Sequence, residues 1–160
     1  MILTAIPLTL PPEGNLVVGQ AHFIKTAEDL AEIVAVIPGV RFGVAFCEAS
    51  GPCLIRTEGN DPELVALAAT NAERVGAGHT FYVMLRGVFP ITVLNAIKAC
   101  PEVCSIFCAT GNPVEMVVAE SASGRGIVGV IDGSPPSGIE DDTGRAQRRE
   151  FLRAIGYKRR

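Results

Sequence analysis

The sequence predicts an α/β protein: a single compact domain with a mixed central β-sheet flanked by helices. Three observations lead there. Apolar runs of strand length alternate with amphipathic stretches of helical period. The chain is 48% hydrophobic and 19% charged, a globular balance, and its 160 residues suffice to enclose a core. Some strands follow one another with no helix between them, which makes the sheet mixed rather than parallel.

Residues 1–14 stand apart as an apolar arm ahead of a domain spanning 15–160. Pro7, Pro11 and Pro12 interrupt the arm, and Ile2, Leu3, Ile6, Leu8 and Leu10 follow neither a helical nor a strand period. The arm is therefore expected to pack across a subunit boundary. The run Leu16–Phe23 reads as the first strand. Thr26 is expected to cap a helix, with Asp29 three residues on, and Leu30, Ile33, Val34 and Ile37 form its apolar face before Pro38-Gly39 stops it. Val40–Glu48 and Cys53–Thr57 are strands joined by the turn Ala49-Ser50-Gly51-Pro52.

Asp61 and Pro62 open the best-signalled helix, in which Leu64, Leu67, Ala68, Asn71 and Val75 share a face and Gly76 supplies a left-handed end. His79–Leu85 reads as a buried strand. Pro90 starts a third helix with Ile91, Leu94 and Ile97 inward. Strands follow at Val103–Ala109, Glu115–Glu120 and Gly126–Ile131, the last two joined as a hairpin by Ser121-Ala122-Ser123-Gly124. After the loop Gly133–Gly138, a final helix packs Phe151, Leu152 and Ile155 and ends at Gly156.

Several function classes are disfavoured. A net charge of -3 does not suit a general nucleic-acid or membrane-surface binder, since both need a positive field. The seven basic and four acidic residues from Glu140 onward alternate along one helix, as on a solvated face. No apolar run approaches the roughly 18 residues of a membrane helix, and no positive N-terminus precedes an apolar run as in a secretory leader. The expected location is the cytoplasm. Five cysteines without a CxxC pair agree, and they read as free, buried, structural thiols. No metal-ligand spacing is present.

Gly124-Arg125-Gly126-Ile127-Val128-Gly129 matches the dinucleotide fingerprint GxGxxG. That fingerprint works only where a strand meets a helix, and here Val130-Ile131-Asp132-Gly133-Ser134-Pro135 cannot continue as one. No phosphate-binding Gly-x-x-x-x-Gly-Lys-Ser/Thr loop occurs either. His79 is the more suggestive feature. It follows Gly76-Ala77-Gly78 at a helix–strand junction, where exposed backbone N–H groups can form an anion-binding concavity beside an imidazole. His22, next to Lys25, is the second candidate.

The segments His22–Thr26, Phe42–Gly51, Gly76–Phe81, Phe89–Lys98, Ile106–Glu115 and Gly124–Gly133 resemble the adenosine-specific kinase family. The likeness runs from about Asn15 to Tyr157. It implies a homo-oligomer, a trimer or larger, that binds adenosine or AMP and carries a phosphoryl group on a histidine, here His79. Magnesium is compatible with such chemistry, though no motif asks for it.

A stable phosphohistidine needs its other ring nitrogen hydrogen-bonded, donors around the phosphoryl oxygens and little water. Glu48 and Asp132 are candidates to orient the ring. Gly78, Lys25, Asn95, Lys98, Asn112 and Arg125 are candidates to contact phosphoryl or nucleotide. The helix ending before His79 points its negative end there, so the N-terminus of the Pro90 helix, or a neighbouring subunit, is expected to offset it. A phosphotransferase, a non-catalytic adenosine or AMP sensor, and a purely structural oligomer all satisfy the sequence.

Overall fold

The computed structural model describes residues 1–159. Eight strands and four helices follow in the order β1 (Ile2–Pro7), β2 (Gly14–Ala21), α1 (Thr26–Ala35), β3 (Arg41–Cys47), β4 (Ile55–Gly59), α2 (Pro62–Val75), β5 (Thr80–Arg86), α3 (Pro90–Ala99), β6 (Val103–Thr110), β7 (Val114–Ser121), β8 (Gly124–Asp132) and α4 (Asp142–Ala154). They build two sheets, β4-β3-β5-β2-β6 and β1-β7-β8.

The α/β class stands, but every strand pairing is antiparallel, so neither sheet is mixed. The reason lies in the crossovers. α1 links β2 to β3, which run parallel to each other, yet β5 lies between them and pairs with both. In the same way α3 links β5 to β6 across β2. Strands joined through a helix are thus separated by an intervening partner of opposite direction.

Alternation along the strands divides the core between the two faces of the larger sheet. Val17, Phe42, Val44, Phe46, Phe81, Val83 and Leu85 point toward α1 and α3, joining Leu30, Val34, Val93 and Ile97. Leu16, Val18, Ala45, Tyr82 and Met84 face α2 and the smaller sheet, joining Leu64, Ala68, Met116 and Val118. α2 sits close on β3 because Gly43 leaves room for it: a Cβ there would lie 2.3 Å from the Leu64 backbone. Asp61 caps α2 through Glu63 N–H (3.0 Å) and Leu64 N–H (3.4 Å), and Gly76 closes it at φ 62°.

Four expectations are corrected. Ile2–Pro7 form a strand despite their aperiodic sequence, pairing with β7 of the same chain and leaving Ile2 and Leu3 exposed. The α1 start has no side-chain cap, since Lys25 occupies that position and Asp29 binds Lys25. In α3 the buried stripe is Pro90, Val93 and Ile97, leaving Ile91 exposed. α4 buries none of its residues, so Phe151 and the neighbouring Ile155 do not reach the core.

The thiols are all free, but Cys53 and Cys104 are exposed. β2 pairs Gln20 with Ser105 and Ala21 with Val103, so Cys104 is the extra residue of a bulge. No described helix is long and apolar enough to cross a membrane.

Candidate functional site

Strand β5 is central in the larger sheet, and His79 sits one residue ahead of it. Its backbone φ is 60°, a left-handed conformation uncommon for a residue with a Cβ and imposed here by its neighbours. The imposition is visible. His79 N–H donates to Cys47 O (2.8 Å) at the end of β3, and His79 O accepts from Ala21 N–H (2.9 Å) at the end of β2. The turned backbone lays the imidazole against the buried Phe46 ring, with centroids 6.1 Å apart and planes 17° from parallel.

Around this half-buried imidazole is a cleft of about 180 Å³ lined by His22, Phe23, Ile24, Phe46, Glu48, Ala49, Ser50 and His79. The structure therefore brings together His22, Glu48 and His79, three of the side chains singled out in the sequence. Gly78 belongs to the same corner: a Cβ there would lie 2.9 Å from that of Ala49, so any larger residue would push the Ala49-Ser50 rim outward. Glu48 accepts hydrogen bonds from Leu54 N–H (2.9 Å) and Arg56 Nη2 (2.8 Å), which hold its carboxyl below the usual range and keep it charged.

Arg56 was not apparent as a site residue. The signal was present in the hairpin register, because Phe46 lies opposite Arg56 and Glu48 is two residues beyond. Among the described residues, its buried Nε finds no acceptor.

The other candidates lie elsewhere. Lys25 follows the cleft-lining residues, but its ammonium is engaged by Glu102 (2.8 Å) and Asp29. Asn95 and Lys98 are exposed on α3, and among the described residues neither makes a side-chain hydrogen bond. Asn112 and Asp132 sit at the opposite end of the larger sheet, where Asp132 accepts from Thr110 Oγ1 (2.7 Å) and Asn112 Nδ2 (3.3 Å). β5 alone separates the two ends by about 20 Å, so Asp132 does not orient the His79 ring. Arg125 pairs with Glu120 (3.0 Å) and approaches Gly76, outside the cleft.

The helix ends are also reassigned. α3 starts at Pro90, beyond the far end of β5, and cannot offset the negative end of α2. The helix whose N-terminus adjoins the cleft is α1, which begins two residues after Ile24. GxGxxG lies on β8 in a hairpin with β7, so it has no helix to present to a pyrophosphate.

Two further features border these elements. Asp29, Cys100 and Glu102 place ligand atoms within 4.8 Å of one another, but the Lys25 ammonium already binds both carboxylates, which disfavours a cation there. At the Asp132 end, an apolar groove of about 680 Å³ runs between α3 and α4, lined by Phe89, Ile91, Leu94, Phe151, Ile155 and Tyr157 among others.

Fold and site together define a small α/β protein with a histidine–carboxylate cleft at one end of an antiparallel sheet. No protein of curated function matches the chain. The chain belongs to the family described as adenosine specific kinase, whose model matches residues 6–158. It is also similar to the crystal structure of PH1918 protein from Pyrococcus horikoshii OT3, with 43% identity, a TM-score of 0.94 and 98% of each chain covered.

Proposed function

We propose that the protein is a phosphotransferase that binds adenosine or AMP and carries a phosphoryl group on His79. The observation that carries this reading is the left-handed His79, fixed by β2 and β3 and set beside His22 and Glu48 in a sheltered cleft. Backbone strain of this kind costs about 1–3 kcal/mol and clusters at functional sites. In the step, the imidazole nitrogen attacks the terminal phosphorus of a nucleotide. The N–P bond forms as the P–O bond to the leaving group breaks, ADP departing from ATP or adenosine from AMP. Phe46 restricts the ring, and the His22–Ile24 rim limits access of water.

The cleft is smaller than the roughly 300–1,000 Å³ usual for whole organic ligands, so it suits the phosphoryl group, with the nucleoside extending past its rim. A homo-oligomer, trimer or larger, completes the reading. The exposed groove between α3 and α4 favours such assembly, because a soluble monomer rarely leaves so many large apolar side chains together in water.

The test is mass spectrometry in alkali after incubation with ATP or AMP. One added phosphoryl mass on His79, absent in His79→Ala, is the expected result. An unmodified His79 in a chain that binds adenosine by calorimetry would instead favour the non-catalytic sensor.

A further inference from the structure

The rim of the His79 cleft is a short non-helical segment, His22–Lys25, between β2 and α1. Phe23 and Ile24 are 52% and 42% exposed, so packing alone does not hold it. Its two ends converge on one residue from the other side of α3. His22 N–H donates to Glu102 O (3.0 Å), and Lys25 Nζ donates to Glu102 Oε1 (2.8 Å). The second carboxylate oxygen, Oε2, accepts from the Cys100 thiol (2.8 Å). Glu102 is only 3% exposed, an unusual place for a carboxylate, and both its oxygens are occupied.

We propose that Glu102 is a positioning residue that clamps the His22–Lys25 segment against the His79 cleft through Lys25. The assignment rests on the reading of that cleft given above. Glu102 does not line the cleft and touches no reacting atom; it acts through the segment that carries His22, Phe23 and Ile24. Thr26 N–H and Ala27 N–H bond back to Phe23 O and Ile24 O, so the clamp also fixes where α1 begins. Its thiol and ammonium donors hold Glu102 ionised at about 2, which keeps the clamp closed throughout the neutral range.

Amide exchange at His22, Thr26 and Ala27, together with carbethoxylation of His79 followed by peptide mass mapping, tests the assignment on the full chain. Glu102→Gln keeps the shape and the backbone acceptor while removing the charge. Glu102→Gln and Lys25→Met are each expected to speed both readouts by about three- to tenfold, the loss of a partly exposed ion pair. Lys25→Arg rebuilds the pair and is expected to restore the native rates. Amides of α2 serve as the folding control, and Lys25→Met, at a half-exposed side chain, decides the matter if Glu102→Gln unfolds. Native rates in Lys25→Met, or a Lys25→Arg as fast as Lys25→Met, overturn the assignment. No nucleotide enters these readouts. A His79 that never accepts a phosphoryl group defeats the proposed transfer and leaves the clamp to be judged by its own rates.

Discussion

The imidazole of His79 lies nearly parallel to the ring of Phe46, a residue 1% exposed whose side chain belongs to the α1–α3 face of the core. The side chain proposed to carry the phosphoryl group is thus braced by one that cannot move without disturbing the interior. The histidine backbone is braced separately, by Ala21 and Cys47. Rotamer freedom is restricted before any ligand arrives, which is what a preorganised nucleophile requires.

The left-handed backbone gives a measurable asymmetry between two deletions of the same imidazole. Glycine adopts φ 60° without penalty, whereas alanine keeps the Cβ clash. His79→Gly is expected to be more stable than His79→Ala by about 1 kcal/mol in urea denaturation. On the proposed reading, neither variant is expected to take up a phosphoryl group. Equal stabilities would contradict the backbone conformation on which the ring placement depends.

The pH profile of stability follows from three buried groups. The Cys100 thiol and Lys25 ammonium hold Glu102 at about 2, below its ordinary 4.5. Its contribution is complete above pH 4.5 and is lost as the pH falls toward 2. Burial chiefly pushes Cys100 and Cys108 up to about 11 from 9.0, so the folded chain retains protons that the unfolded chain releases. Stability then declines as the pH rises from 9 toward 11. Thermal midpoints are expected to form a plateau between these limbs, and Cys108→Ala to flatten part of the alkaline one.

Glycines separate packing from motif. Gly43→Ala drives a methyl group into the α2 backbone and is expected to cost about 1–3 kcal/mol or more. Gly126, inside the GxGxxG string, has open space where a side chain would start, with no described atom within 4 Å. Gly126→Ala is expected to change stability by no more than about 0.5 kcal/mol. Denaturant midpoints check both, and a large loss at Gly126 would contradict the open space beside it.

Local chemistry made much of this legible in the sequence. Asp61, Pro62 and Gly76 mark the ends of α2 where they fall, because caps act on their own helix. Gly76-Ala77-Gly78 pointed to His79 for a related reason: a tight helix-to-strand passage needs permissive backbone. Long-range placement was less accessible. Glu48 and Asp132 read alike as acids at strand ends, and only the strand order puts one beside His79 and the other across the sheet. The insertion of β5 between β2 and β3 has no local signature, since it is settled by which faces bury together. α4 misled for the opposite reason. Its apolar residues have the period of a packed helix, but within this chain the sheet faces are already covered by α1, α2, α3 and the smaller sheet.

The bonds from Ala21 and Cys47 to the His79 backbone also limit how the chain can vary in length. Adding or removing one residue between Gly76 and Thr80 would shift the alternation of β5 against both neighbours, or else tear His79 from them. The imidazole would then turn from Phe46 toward the layer occupied by α2. Insertions are tolerable at the hairpin tip near Ser123 or between Ser134 and Glu140, where nothing in the cleft depends on residue count. The connector ahead of β5 works as a ruler, and its four residues, Gly76–His79, set where the imidazole sits.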